Sequence, residues 1–162
     1  MVFPVAGHTQ DTMGLFRLDP VRFFCSVRGG TWIGTGRYFM VNYSDTLVMT
    51  PDTSGQGLSI RRVLVNDDDT LLVSRGRGHV VREPGDSTFT IRWLEHRYPE
   101  VTGRMRWQNG QWVVSFDGAW SAWSIRVRYD SPYAVIAAAA RALGAFPPVE
   151  LTTMTYRARP LR

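Results

Sequence analysis

The chain has 162 residues, 44% of them hydrophobic and 20% charged, enough for one domain with a real core and too apolar for a disordered chain. All 19 basic residues are arginine, and against 14 acids they leave a formal net charge of +5. No apolar run reaches the roughly 18 residues of a membrane span, no basic-then-apolar leader opens the chain, and the lone Cys25 excludes an internal disulfide, so a cytoplasmic protein is expected.

Residues 1–20 are punctuated by Pro4, Gly7, Gly14 and Pro20 and read as an N-terminal arm. Strand signals are dense from 21 to 129. The run RYFMVNY puts Phe39, Val41 and Tyr43 on one face, and Asp45 marks a turn. Asn66-Asp67-Asp68-Asp69 and Pro84-Gly85-Asp86 read as hairpin connections. In STFTIRW, Phe89, Ile91 and Trp93 oppose Thr88, Thr90 and Arg92. Asn109-Gly110 joins VTGRMRW to QWVVSF, because both residues tolerate positive φ. In WSIRVRY, Trp123, Ile125, Val127 and Tyr129 oppose Ser124, Arg126 and Arg128. This alternation is that of antiparallel sheet with one wet face.

Residues 131–144 then carry helical signals. Ser131 suits a cap and Pro132 the first helical position. Tyr133, Ile136, Ala137, Ala140 and Leu143 recur at helical spacing, and Gly144 with Pro147-Pro148 forms a stop. Residues 149–157 alternate again as a terminal strand. The expected fold is mainly β: a single antiparallel β-barrel with one C-terminal α-helix packed outside it. A β-sandwich plus helix is the alternative.

The stretch GGTWIGTGRY, residues 29–38, fits a strand entering a barrel. Gly29 and Gly30 allow the turn, Trp32 fills the base, and Gly34 and Gly36 let the strand coil. The sequence resembles the first-strand G-x-W-x-G-x-G signature of calycin-type barrels, which include the lipocalins and the nitrobindin-like haem-binding barrels. The resemblance implies that Trp32 plugs the barrel base. A haem site would need a histidine that reaches iron. His8 lies in the arm, His79 follows a glycine-rich turn, and His96 falls at a strand end, so no haem or other cofactor is expected.

Candidate chemistry is sparse. Asp67, Asp68 and Asp69 lack the spacing of a calcium loop and read as turn residues, so no metal is expected. SRGRGHVVR gathers Arg75, Arg77 and Arg82 around glycines, the composition of an anion-binding turn without the lysine and helix of a P-loop. Arg92, Arg104, Arg106, Arg126 and Arg128 form a basic wall, but the tryptophans alternate onto the other face. Stacking platforms for nucleic acid would share the arginines' face, and a GC-rich codon supply also yields lysine-free chains, so nucleic acid is not the expected partner. His96 and Glu95 are the acid/base candidates. Cys25 has no activating partner in the sequence and reads as a small hydrophobe.

The aromatics carry the functional reading. Phe89, Trp93, Trp107, Trp123 and Tyr129 point to one side, where they either fill a barrel or line a cavity. The expected function is non-covalent binding of a small apolar or aromatic ligand, with an arginine near the mouth for any acidic group. Two alternatives stand beside it: a barrel-pocket enzyme of cyclase or isomerase type, and a structural or assembly protein such as a viral particle component. The oligomeric state is open.

Overall fold

Ten strands alternate hydrogen-bonded neighbours around a ring until the last pairs with the first. A computed structural model describes residues 11–38, 40–96, 98–117, 122–142 and 149–160. The strands are β1 (Thr31–Tyr38), β2 (Val41–Pro51), β3 (Gly57–Asn66), β4 (Leu71–Arg82) and β5 (Phe89–Glu95). They continue as β6 (Val101–Gln108), β7 (Gln111–Asp117), β8 (Ala122–Ser131), β9 (Ala134–Ala142) and β10 (Val149–Ala158). Every neighbouring pair is antiparallel, and β1 closes the barrel by pairing with both β2 and β10. Closure leaves no sheet edge.

The hairpin chemistry lies where the sequence places it. Asn109 and Gly110 have φ of 50° and 79° and join β6 to β7. The Asp67–Asp69 segment is a turn whose carboxylates bind protein groups: Asp67 accepts from Ser44 Oγ at 2.7 Å and Asp68 from Asn42 Nδ2 at 3.1 Å. Among the described residues no group of three or more potential ligands is arranged to hold a metal ion.

One end of the barrel is plugged from inside. Helix α1 (Thr12–Leu18) is capped by Asp11, which accepts from the Gly14 amide at 3.0 Å. Helix α2 (Pro20–Ser26) is capped by Asp19 and starts with proline at its first position. The two helices drop Phe16 and Phe23 into the lumen, and both are fully buried. The Trp112 indole donates to Phe16 O at 2.7 Å, the Trp32 indole to Phe24 O at 2.9 Å, and Thr12 Oγ1 bonds Tyr129 Oη at 2.7 Å. Trp32 is buried beneath Phe23 and Phe24, as the base-plugging role requires. Gly29 and Gly30 both take φ of 75° at the turn into β1. A Cβ on Gly30 would strike the Met49 carbonyl oxygen.

Four expectations need correction. Residues 12–26 are helical, so the arm reading fails for 12–20 and the strand reading for 21–26; residues 1–10 lie outside the described set. RYFMVNY is not one strand, since the chain turns after Tyr38; Phe39 also lies outside the described set. Asp45 is not in a turn but in the middle of β2. The helix expected over 131–144 is not formed in its described part: Ala134–Ala142 is β9, paired on both sides, and residues 143 and 144 lie outside the described set. Alanine's helix preference amounts to tenths of a kcal/mol per residue. Removing β9 would strand the hydrogen-bonding groups of both β8 and β10. Among the described residues the helices precede the barrel and fill one end of it.

Candidate functional site

The alternation that turns Leu47 and Met49 toward the core also points Asp45 inward from β2. In β3 it points Arg62 inward beside Ile60 and Leu64. Two polar chains cross the inner wall over glycines. Gly34 of β1 pairs with Asp45 on one side and Tyr156 on the other. The Tyr156 ring lies flat where a Gly34 side chain would stand, and its hydroxyl donates to Asp45 Oδ2 at 2.7 Å. Gly76 of β4 pairs with Arg62 on one side and Glu95 on the other. Arg62 and Glu95 are thus two strands apart, about 10 Å of backbone. With no side chain between them, Arg62 Nη1 comes within 3.8 Å of Glu95 Oε2.

Arg62 joins the two chains, because its Nε donates to Asp45 Oδ2 at 2.9 Å. Glu95 is further held by the Trp93 indole at 2.7 Å and by the Ser74 hydroxyl. The Trp93 ring covers Gly76 and Gly78, where a Cβ would stand 2.5 Å from its carbons. The Phe116 ring covers Gly103 in the same way. Lumen glycines therefore serve as seats for flat aromatic rings.

The electrostatics of this network are set by burial. Asp45 is 1% exposed, and its Oδ1 has no hydrogen-bond partner. Burial pushes its carboxyl above the usual range, although Arg62 and the Tyr156 hydrogen bond pull it down. Burial, then the neighbouring Asp45, push the Tyr156 phenol up, so it stays protonated. Burial opposes charge on Arg62, but Asp45, Tyr156 and Glu95 more than offset it, and the guanidinium stays charged. Unlike Asp45, the Arg62 and Glu95 side chains keep 24% and 19% exposure and meet solvent on the lumen side.

The two halves of the lumen differ. The helix-plugged half is packed: Phe89 meets Trp112 edge-on, Trp107 meets Phe16 and Trp112, and Tyr129 meets Phe16 and Phe23. Of the aromatics read from sequence as ligand-lining, Phe89, Trp107 and Tyr129 thus belong to the plug. Trp93 and Trp123 stand in the other half. There Trp123 is 39% exposed, and Arg141 lies over its ring at 5.0 Å. Apart from Arg141, β9 contributes only small groups, Ala137 and Ala139, to the wall in this half.

The remaining candidates are dispersed. Arg75 and Arg77 are exposed on the outer face of β4, whereas Arg82 lies over Phe89 at 4.7 Å and donates to Leu18 O, so Arg82 is not brought together with the other two. Glu95 points inward and His96 is exposed at the strand end, which separates the acid/base pair. His79 lies near Asp52, 3.7 Å away, on the outside, and His8 lies outside the described residues. Arg92, Arg104, Arg106, Arg126 and Arg128 are exposed, away from the inward tryptophans. Burial pushes the Cys25 thiol up to about 11, which keeps it un-ionised at neutral pH.

Sequence reasoning missed Asp45, Arg62, Tyr156 and Arg141. The available signal was phase: each stands at an inward position of an alternating strand, where an apolar residue is the default.

No protein-family model matches the chain, and no curated protein sequence matches it. Solved structures do. The chain is similar to the S-type phycobiliprotein lyase CpeS from Guillardia theta, at 10% identity and a TM-score of 0.56, over 82% of this chain and 86% of that one. It is also similar to Rv2717c from M. tuberculosis, at 13% identity and a TM-score of 0.57, over 88% and 99%. Both are ten-strand barrels of calycin-like type, so the likeness is one of fold.

Proposed function

We propose that the protein binds a small, mostly apolar or aromatic molecule, non-covalently, in the half of the lumen away from the helices. The observation that carries this reading is the accessible Arg62–Glu95 pair. It lies in a lumen walled by Trp93 and Phe116 and left shallow by the alanines of β9. Such a site combines apolar bulk with a few fixed polar groups, as small-molecule pockets do. A phycobiliprotein lyase among barrels of this shape is consistent with lumen binding as a general use of the fold. The anion turn and the His96–Glu95 pair are less favoured readings, because Arg75, Arg77 and His96 are exposed whereas Arg82 and Glu95 bond inside the protein.

The test is native mass spectrometry of protein purified from its own host, beside a denatured control. A small molecule that leaves on denaturation supports the reading and gives the ligand's mass. A bare protein that also fails to take up apolar aromatic probes counts against it.

A further inference from the structure

Among the described residues, Arg141 is an inward-facing cation with no ion-pair partner. It sits on β9, directly opposite Trp123 of β8, and Trp123 in turn pairs with Phe116 of β7. All three face inward in the half of the lumen away from the helices. The Arg62 charge is matched by Asp45 and Glu95. Arg141 has no ion-pair partner among the described residues, and its Nε is buried without a hydrogen-bond partner.

An unsatisfied buried donor on a charged group is costly and calls for a partner. The stack on Trp123 determines what that partner can be. The guanidinium carbon lies 5.0 Å from the Trp123 ring centroid, a cation–π distance that holds the group against the indole. A guanidinium carries its N–H donors in one plane, the geometry that receives a carboxylate or phosphate through two parallel bonds, and the Arg141 Nε is unused by the protein. Trp123 is 39% exposed, so solvent reaches the indole that holds Arg141.

We propose that Arg141, held by Trp123, is the anion-recognition point of the lumen, and that the ligand is a planar aromatic acid. Its ring system lies along the aromatic wall and its carboxylate, phosphate or sulfonate meets the Arg141 edge. This rests on the lumen-binding reading above, and the experiment separates the two.

The probes are 1-anilinonaphthalene-8-sulfonate and its uncharged counterpart N-phenyl-1-naphthylamine, titrated by fluorescence against wild type, Arg141→Gln, Arg141→Lys and the outer-face control Arg126→Gln/Arg128→Gln. Thermal melts verify that each variant is folded. Wild type is expected to bind both probes at one site, the sulfonate more tightly. Arg141→Gln is expected to weaken the sulfonate about ten-fold, the loss of one charged hydrogen-bonding contact, and to leave the uncharged probe unchanged. Arg141→Lys should restore only part, because an ammonium keeps the charge but not the planar fork. Equal effects on both probes, no effect of Arg141→Gln, or loss of sulfonate binding in the outer-face control would overturn the anion assignment while lumen binding stands. Binding of neither probe to wild type would overturn both.

Discussion

Replacing Arg62 with methionine keeps the aliphatic stem and removes the group that joins the two polar chains. Asp45 is 1% exposed and its Oδ1 already lacks a partner, so after the substitution only the Tyr156 hydroxyl would serve the carboxylate. Breaking a buried ion pair by removing one member costs about 3–5 kcal/mol, because the other charge is left uncompensated. Arg62 keeps 24% exposure, which lets water relieve part of that cost, so the expected loss is about 3 kcal/mol. For a chain of this length that lowers Tm by roughly 6–12 °C. Urea unfolding followed by tryptophan fluorescence and circular dichroism measures it. Adding Asp45→Asn to Arg62→Met removes the stranded charge and is expected to recover about 2 kcal/mol. A loss below about 1 kcal/mol, or a double variant no more stable than Arg62→Met, would refute the claim that Arg62 compensates a buried Asp45 charge.

The other predictions concern single contacts. The Asp45 carboxyl is raised in the folded state, so the native protein holds that proton to a higher pH than the unfolded chain does. Stability therefore falls as pH rises from the ordinary carboxylate range through the raised value, and Asp45→Asn should flatten that slope in urea titrations across pH. Gly76→Ala puts a Cβ 2.5 Å from the Trp93 ring; it should displace the indole, break its bond to Glu95 and cost about 1–3 kcal/mol, with a visible change in tryptophan emission. Phe16→Ala should cost about 3–5 kcal/mol in the same unfolding assay, because the ring is fully buried among Phe23, Trp107 and Tyr129. Cys25 should react slowly with thiol reagents at pH 7 and faster as pH approaches about 11.

What was legible in the sequence was whatever depends on local pattern. Period-2 alternation in STFTIRW and WSIRVRY, and the Asn109-Gly110 turn, translate directly into β5, β8 and the β6–β7 hairpin, because side-chain phase and positive φ are local properties. Trp32 was legible as a plug because glycines on both sides free its strand. Residues 134–142 were not, since alanine favours a helix locally and only pairing with β8 and β10, close in sequence yet invisible to propensity, makes a strand. The same holds for the polar network. Tyr156, Asp45, Arg62 and Glu95 come from four strands, and their contacts cross Gly34 and Gly76, whose meaning appears only with the register. The division of the aromatics into a plugged half and a walled half likewise depends on where α1 and α2 insert.

The most direct test of a hollow, ligand-taking lumen is Ala139→Trp, with Ala138→Trp on the opposite face of β9 as its control. Ala139 pairs with Ile125 on the inner wall, so an indole there occupies the space assigned to the ligand. The predicted result is a folded Ala139→Trp protein of near wild-type stability that no longer binds N-phenyl-1-naphthylamine, with binding intact in Ala138→Trp. If wild type binds no probe and Ala139→Trp loses about 1–3 kcal/mol, as overpacking a filled core would, the lumen is solid and the account is contradicted.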